Sequence, residues 1–498
     1  MSKNLQRLLS CVVLAALLSC LLLPSAAAAG RFTDVPANHW ASAQISRAVD
    51  LGLFQGETST RFGLGHPMTR AAFAVVLCRF FGWETVTPGQ GSYTDNQDPN
   101  AWYYSAVETA YANGAITSQT SSFRPADPIT REELAVMLLR AMGYGTIAGL
   151  AQDLPMPFRD VRTNSGYLSM AYALGLVSGT SATTFSPNQA ATREQAAVIL
   201  MRLYDKLHAA DPEQTGIIAS AKDTADFSGC GAVAVAAGKL TYPGHVQLSV
   251  SMQEKDASAQ TEAIQSAGAK ALLYVTGSAS TLKDPAASTA AILEDAVTAG
   301  GYDGLFLDLP ALKDTNKSDF TALVRSLREA LGDRLLYVMA EAPVWQGTSY
   351  GGYDYAALGA AADRLVLRIA PYEKESDGFP IAPLDPLEEV YYALAELKGT
   401  VPAGHLSLLV TTSAAAWDSK GDRSGTLTTR ELQDLLEERG TVRYYSSRYA
   451  CAYLTSSEKD ARVVWFLDET SLAKRTQLAK LFSVGQLCYS DLGSLPVA

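Results

Sequence analysis

One sequence segment is repeated three times, with variations, in the first 205 residues. Each copy ends in the dipeptide Thr-Arg, with the arginines at Arg70, Arg131 and Arg193, so the copies lie 61 and 62 residues apart. A fixed period of this length predicts stacked copies of one supersecondary unit, because a single unit cannot bury its apolar face alone. The chain therefore begins with a helical repeat array, and such arrays more often bind than catalyse.

The copies share an opening as well as an ending. Each opens with an aromatic residue two positions before an aspartate, which is Asp34, Asp95 or Asp160. Trp40 and Trp102 follow in the first two copies, whereas the third copy has Tyr167 near that position. The spacing predicts two helices joined by a loop in every copy.

The second copy predicts its own helix ends. Apolar residues recur at helical spacing between Trp102 and Asn113, and Gly114 follows as a carboxyl-terminal cap. Thr130 then stands as an N-cap with Glu133 three residues later, which is a capping-box pattern. Thr192 with Gln195 predicts the same box in the third copy, and Thr69 lacks it because Ala72 takes that place.

These features together resemble the S-layer homology (SLH) domain of bacterial cell-surface proteins. The resemblance covers three repeats, at residues 31–80, 92–143 and 157–205. It implies binding to pyruvylated secondary cell-wall polysaccharide, with the arginines meeting the ketal carboxylate and the tryptophans stacking on sugar. The expected binding residues are Asp34, Trp40, Arg70, Asp95, Trp102, Arg131, Asp160 and Arg193.

The arginines allow a second interpretation. A cation in the first turn of a helix opposes the helix dipole, at a cost of roughly a few tenths of a kcal/mol. Its repetition suggests a function, which is either anion binding through the planar guanidinium or an ion pair with an opening aspartate. Asn96, where the family prefers Val, and Tyr167 make the copies unequal, so the three grooves need not bind equally.

The amino terminus has the pattern of a secretory signal over residues 1–29. Lys3 and Arg7 precede an apolar run from Val12 to Leu23, and a small-residue cleavage site follows. A lipoprotein with Cys20 lipidated is the alternative. No later stretch is apolar enough to span a bilayer, so we expect a secreted protein held at the cell wall, without a membrane span after cleavage.

The composition excludes several partners. The net charge is −11, with no basic cluster, which argues against nucleic acid. Five scattered histidines and widely spaced cysteines form no metal-ligand pattern, so neither a metal nor a cofactor is expected. The cysteines beyond the signal are predicted as buried thiols, with a disulfide left open: Cys78, Cys230, Cys451 and Cys488.

The second half alternates strand and helix patterns. After a linker at 206–222, nine apolar strand candidates alternate with helical stretches over 223–498. This order predicts an α/β barrel of the (β/α)8 type, in which one candidate is an extra hairpin or a false assignment. The nine candidates are Gly231–Ala237, Val246–Val250, Ala271–Val275, Gly304–Leu309, Leu335–Met339, Leu365–Ile369, Leu406–Thr411, Val463–Phe466 and Gln486–Tyr489.

The segment Tyr302–Pro310 resembles the D-G-x-D-x-D-x-E strand of glycoside hydrolase family 18, in particular its spore-cortex and cell-wall branch. The resemblance implies a glycan-binding barrel, but the chain departs from the family at the chemistry. Pro310 replaces the acid Glu, Phe306 replaces the first Asp of the D-x-D pair, and only Asp308 remains. The family's Met-Thr-Tyr-Asp strand aligns with residues 368–371, where Arg368 stands first.

These departures predict a barrel that binds glycan without hydrolysing it. Asp308, Trp345 and Trp417 are the candidate glycan-binding residues, with Asp308 vestigial for catalysis. An active hydrolase on peptidoglycan or N-acetylglucosamine polymers is the alternative, with Glu341 or Glu373 as a relocated acid at the carboxyl face of the barrel. A purely structural envelope component is the third interpretation.

Overall fold

The computed structural model describes residues 31–117, 120–151, 154–218, 226–251, 254–345, 349–369, 381–418, 420–456 and 462–494. The predicted signal segment and Glu373 lie outside these residues. The chain divides into two compact units, Met1–Tyr204 (unit 1) and Asp205–Ala498 (unit 2).

Unit 1 is helical, with two helices in each repeat as predicted. The first helix of each repeat ends at a glycine in the left-handed region, where φ is 72° at Gly52, 72° at Gly114 and 70° at Gly175. The second helix begins at the arginine of each Thr-Arg pair. The helices are α1 Ser42–Asp50, α2 Arg70–Phe81, α3 Tyr104–Ala112, α4 Arg131–Ala141, α5 Gly145–Leu150, α6 Ser165–Ala173 and α7 Arg193–Leu207.

The capping predictions hold in part. Thr130 and Glu133 form the complete capping box at α4, and the Thr69 hydroxyl accepts from the Ala72 N–H without a box. At α7 only half of the box is present, because the Gln195 side chain accepts from the Thr192 N–H at 3.3 Å. The Thr192 hydroxyl itself is buried without a partner in the described part of the chain.

The three repeats close on one another through backbone hydrogen bonds at their Thr-Arg segments. The N–H of Met68 donates to the Ala191 oxygen (2.9 Å), Ile129 donates to Met68 (2.8 Å), and Ala191 donates to Ile129 (2.9 Å). Each repeat is therefore bonded to both others in a ring. This closure explains why the array has three copies, since no edge is left without a neighbour.

The opening aspartates hold the loop before the second helix. Asp34 accepts from the backbone N–H groups of residues 62, 63 and 64, at 2.8 to 3.1 Å. Asp95 accepts from residues 123 and 124, and Asp160 accepts from residues 185 and 186. The oxygens of these carboxylates already accept backbone hydrogen bonds, and the expectation that the three aspartates bind a ligand stays a prediction.

Acid is expected to destabilise unit 1 through these aspartates. Partial burial opposes ionisation at Asp34 and Asp95, but the donated hydrogen bonds outweigh it, and the pKa of all three carboxyl groups lies below its ordinary value. Their stabilisation is therefore complete above the unfolded pKa of about 4 and is lost as pH falls through the lower folded values.

Thermal unfolding followed by circular dichroism, between about pH 6 and pH 3, measures this loss. The Asp95→Asn variant should be less stable at neutral pH and lose less stability on acidification than the unmodified chain. An identical acid slope for both proteins would contradict the assignment.

Asn96 departs from the apolar residue that the family prefers because it belongs to a buried polar cluster. Its side-chain amide donates to the Glu108 carboxylate at 2.6 Å, and Ser92 donates to the same group through its N–H and its hydroxyl. Glu108 is only 2% exposed, so these donors replace the water that its charge would otherwise need.

Unit 2 contains a closed barrel of eight parallel strands, as the strand and helix alternation predicts. The barrel order is β1-β2-β4-β5-β6-β7-β8-β14, and β14 returns to pair with β1. These strands are β1 Glu213–Ile218, β2 Cys230–Thr241, β4 Lys270–Thr276, β5 Gly304–Asp308, β6 Leu335–Glu341, β7 Arg364–Arg368, β8 Leu406–Val410 and β14 Gln486–Tyr489, with β3 Gln247–Val250 as an antiparallel addition to β2.

The helices of unit 2 lie mostly between the barrel strands. They are α8 Glu254–Ser266, α9 Ala286–Ala299, α10 Lys317–Leu331, α11 Tyr355–Ala361, α12 Leu387–Glu396, α13 Thr429–Glu437 and α14 Glu469–Phe482.

A second, antiparallel sheet is inserted between β8 and β14. Its order is β10-β9-β13-β12-β11, and α13 packs on one of its faces. Its strands are β9 Ala414–Trp417, β10 Arg423–Leu427, β11 Val442–Ser446, β12 Cys451–Ser456 and β13 Arg462–Phe466.

Three strand assignments are corrected. The candidate Val463–Phe466 belongs to the inserted sheet. The candidate Val246–Val250 is the antiparallel hairpin strand and not one of the eight barrel strands. The barrel strand that is absent from the nine candidates is β1, which lies inside residues 206–222, the predicted linker. Glu213–Ile218 has few apolar residues, so its pattern is weak, and only its pairing with β2 and β14 makes it a strand.

Candidate functional site

Each repeat arginine reaches into the next repeat. Arg70 donates from Nε to the Phe123 carbonyl (2.7 Å), Arg131 to Phe185 (3.0 Å) and Arg193 to Phe62 (2.9 Å). Each guanidinium also lies over the ring of the same phenylalanine, at 4.6 to 4.9 Å from its centroid. The arginines therefore join neighbouring repeats, and the predicted ion pair with an opening aspartate does not form in the described residues.

Burial lowers the pKa of all three arginines from the ordinary value, although guanidinium stays charged at neutral pH. Each one marks a groove between two repeats. We name these the first groove (Arg70 and Phe123), the second groove (Arg131 and Phe185) and the third groove (Arg193 and Phe62).

The positive charge of Arg70 in the first groove is neutralised by an acidic residue of the same groove. Glu133, the capping-box residue of α4, forms an ion pair with Arg70 at 2.8 Å and a second one with Arg124. Tyr167, which replaces the tryptophan in the third repeat, is buried and lies against Arg140, with its ring 5.3 Å from the guanidinium carbon. An acidic ligand would have to displace Glu133 to reach Arg70.

The second groove is open and positively charged. A cavity of about 210 Å³ is lined by Trp40, Arg131, Phe185, Gln195 and Arg202. Arg131 donates to the Phe185 and Ser178 carbonyls but forms no ion pair in the described part of unit 1. At the position that Glu133 holds in the first groove, this groove has the neutral Gln195.

The second groove takes residues from all three repeats. Trp40 of the first repeat, with 59% of its surface exposed, faces Arg131 of the second and the loop at Ser178 of the third. Trp102 is also exposed, at 68%. Arg202 was missed from the sequence, although an arginine stands nine residues after the Thr-Arg arginine in every copy, and that spacing could have revealed it.

Two of the predicted barrel residues, Asp308 and Glu341, meet Arg368 at the carboxyl ends of three adjacent strands. Asp308 ends β5, Glu341 ends β6 and Arg368 ends β7. Arg368 binds both oxygens of Asp308, at 2.7 and 2.9 Å, and donates twice to one Glu341 oxygen, at 2.8 and 3.1 Å. The Tyr274 hydroxyl, from β4, donates to Asp308 at 2.5 Å.

This cluster is buried and strongly coupled. The side chains of Asp308 and Glu341 are 5% and 7% exposed. Burial alone would lower the pKa of Arg368, but the charges of Asp308 and Glu341 outweigh it and raise that pKa above the ordinary value. Burial, reinforced by Asp308, raises the pKa of Tyr274. The guanidinium is therefore a permanent positive charge between the two carboxylates.

The residues of this cluster are not suited to act as the proton-donating acid of a glycosidase. Pro310 lies exposed two residues beyond Asp308, and Phe306 fills the barrel core. Glu341 accepts hydrogen bonds from a cation, which is the reverse of the proton donation that a general acid performs. Glu373 lies outside the described residues. Within the part of the chain that the structure describes, no group of His, Cys, Asp or Glu could hold a metal.

One of the two predicted tryptophan platforms is corrected. Trp417 is 1% exposed, and its indole N–H donates to the Ala382 carbonyl at 2.9 Å, so its ring belongs to the core of the inserted sheet. Trp345 is half-buried after β6, with its backbone N–H bonded to Glu389. A role for Trp345 in glycan binding stays a prediction.

A helical repeat array followed along the sequence by a (β/α)8 barrel defines a modular protein of two units. The chain belongs to the glycosyl hydrolases family 18, whose model matches residues 236–485, half of its length. The S-layer homology domain model matches residues 31–74, 97–135 and 157–197. The chain is thus a cell-surface protein, and no helix among its described residues is long and apolar enough to cross a membrane.

Curated relatives share parts of this architecture. An endoglucanase of Bacillus sp. (strain KSM-635) is 29% identical over 227 residues, which cover 42% of this chain and 23% of the relative. An S-layer protein of Bacillus licheniformis is 26% identical over 267 residues, covering 52% of this chain and 30% of the relative. The chain thus spans less than a third of the length of either protein.

Solved structures resemble unit 2 at low identity. The spore cortex-lytic enzyme SleL of Bacillus cereus has a TM-score of 0.48 at 13% identity, covering 57% of this chain and 72% of that one. A chitinase of Chromobacterium violaceum has a TM-score of 0.48 at 19% identity, covering 57% and 95% respectively.

Proposed function

We propose that this protein is a wall-anchored glycan-binding pseudoenzyme. Its SLH unit holds pyruvylated secondary cell-wall polysaccharide, and its barrel binds peptidoglycan or another N-acetylglucosamine-containing glycan without cleaving it. The observation that carries the proposal is Arg368, which bridges Asp308 and Glu341 where the family performs its chemistry.

The loss of hydrolysis follows from what each position can do. In the family that the sequence resembles, the strand after β4 supplies a proton-donating Glu, and the preceding Asp steers the acetamido group of the substrate. Pro310 has no proton to give, and Asp308 already accepts hydrogen bonds from Arg368 and Tyr274. A general acid contributes about 10²–10⁴-fold to the rate, so its loss alone should leave only a small fraction of the rate of hydrolysis.

Anchoring is assigned to the second groove. A ketal carboxylate fits Arg131 because guanidinium binds carboxylate through two parallel hydrogen bonds, and the exposed Trp40 ring offers a stacking surface for sugar. Arg202 adds a second positive charge to the same cavity. The first groove lacks this capacity, since Glu133 already occupies the Arg70 guanidinium.

A turnover assay tests the barrel. The full chain and a Pro310→Glu variant are incubated with peptidoglycan and with N-acetylglucosamine tetramer, beside an active family 18 chitinase, and products are followed by mass spectrometry. We expect no product from either protein, because a restored acid would still lack the first Asp, at Phe306, and would stand beside an Asp308 held by Arg368.

Binding is measured on the same proteins by calorimetry. Tetramer binding without cleavage supports the proposal. Product formation by the unmodified chain would overturn it and would direct attention to Glu341 and Glu373, whose glutamine variants should then lose activity.

A further inference from the structure

A cleft of about 770 Å³ lies at the rim of the barrel. Its walls are the loop 279–285, which follows β4, and the first turns of α9 and α10. Helices that follow parallel strands begin at the carboxyl face, so the cleft lies at the same end of the barrel as Asp308. Neither Asp308 nor Arg368 lines it, and its size is typical of ligand pockets.

One buried group in this cleft lacks a partner. Thr289 stands in the first turn of α9, lines the cleft and is 1% exposed. Its hydroxyl makes no hydrogen bond in the described part of the chain. Buried hydroxyl groups in proteins are nearly always bonded, so an unpaired one beside open space points to a ligand atom that completes it.

The other walls offer donors, acceptors and an apolar surface. No side chain caps α9, so N–H groups of its first turn remain available at this helix start. Asp319 presents an exposed carboxylate, and Ala322 and Leu323 supply apolar surface. The charged residues of the lining are Lys283, Asp284 and Asp319, so positive charge is not in excess and the cleft suits a neutral polar molecule better than an anion.

We infer that this cleft binds a short segment of a neutral oligosaccharide. The inference rests on the proposed function and gives the barrel's glycan site a location at the rim, away from the strand ends that Arg368 occupies. Sugar hydroxyls both donate and accept, which matches a cleft where Thr289, free N–H groups and Asp319 lie around apolar side chains.

Calorimetry with N-acetylglucosamine tetramer tests the cleft. The full chain carries Arg131→Ala in every sample, so that the second groove contributes nothing. Thr289→Val should weaken binding about tenfold, because it removes one hydrogen bond to the ligand, and it should not lower the melting temperature, because the lost hydroxyl has no protein partner. Ala322→Trp fills the cleft from an exposed helix position and should abolish binding.

Thr321→Val is the matched control. Thr321 is also a buried threonine near the start of a helix, but its hydroxyl donates to the Lys317 carbonyl at 2.8 Å and does not line the cleft. The affinity of the Thr321→Val variant for the tetramer should equal that of the parent protein. Tetramer binding that survives both Thr289→Val and Ala322→Trp would overturn the assignment of the cleft as the binding site and leave the proposed function intact. A parent protein that binds no tetramer would overturn glycan binding by the barrel itself.

Discussion

Replacing Arg368 with methionine is expected to destabilise unit 2 by about 3–5 kcal/mol, because it leaves two buried carboxylates without their counter-charge. Asp308 and Glu341 stand at the ends of neighbouring strands, and in the folded barrel they share this one guanidinium. Methionine is uncharged and close in length to the aliphatic part of arginine, so the expected loss comes from charge. Chemical denaturation of the full chain, followed by tryptophan fluorescence, measures it.

Two further variants separate charge from packing. Arg364 lies on the same strand as Arg368 and forms an ion pair with Glu213 of β1. Both of those side chains are partly exposed, at 24% and 40%, so Arg364→Met should cost less than about 1 kcal/mol. Removing both carboxylates together with Arg368, as Asp308→Asn, Glu341→Gln and Arg368→Met, should recover much of the lost stability. If Arg368→Met alone unfolds no more easily than Arg364→Met, the bridge does not hold the barrel together.

Replacing Arg131 with alanine is expected to weaken binding to polysaccharide-bearing cell walls by about 30-fold or more, since truncating one member of a buried charge pair costs ~2 kcal/mol or more. The measurement is co-sedimentation of the full chain with purified walls. Walls stripped of their secondary polysaccharide provide the baseline, and walls that keep the polysaccharide but have lost its acid-labile ketals test the contribution of the carboxylate.

Arg70→Ala is the matched control for this loss. Arg70 makes the same inter-repeat contacts as Arg131, with a phenylalanine carbonyl and the ring of that phenylalanine. A loss of binding caused by loosened packing would therefore appear in both variants. Because Glu133 neutralises Arg70, we expect its wall affinity to stay within about twofold of the parent. Equal losses in both would contradict the assignment of the second groove.

The two units illustrate opposite uses of arginine. In the second groove, Arg131 donates to carbonyl oxygens and forms no ion pair in the described part of unit 1, so a ligand can still pair with its charge. At the barrel, the charge of Arg368 is fully balanced by Asp308 and Glu341. We therefore propose that the same side chain prepares a binding site in one unit and closes a catalytic position in the other, according to whether its neighbours are neutral or acidic.

The sequence by itself determined the repeat array and the barrel class, and it has Pro310 where the family resemblance leads us to expect the catalytic acid. These properties are local: a period of 61 and 62 residues, a capping box at Thr130 and a proline at position 310 can each be seen in consecutive residues. Helical spacing and strand alternation are also local, because they follow from the geometry of one element.

Only the tertiary structure decided which residues meet. Trp40 faces Arg131 rather than Arg70 because the repeats close in a ring, and sequence spacing cannot show that closure. Trp417 is buried because an inserted sheet surrounds it, and the weakly apolar β1 becomes a strand because β2 and β14 need a partner. Arg368 bonds to Asp308 and Glu341 across 60 and 27 residues of chain, since parallel strands bring their carboxyl ends to one edge.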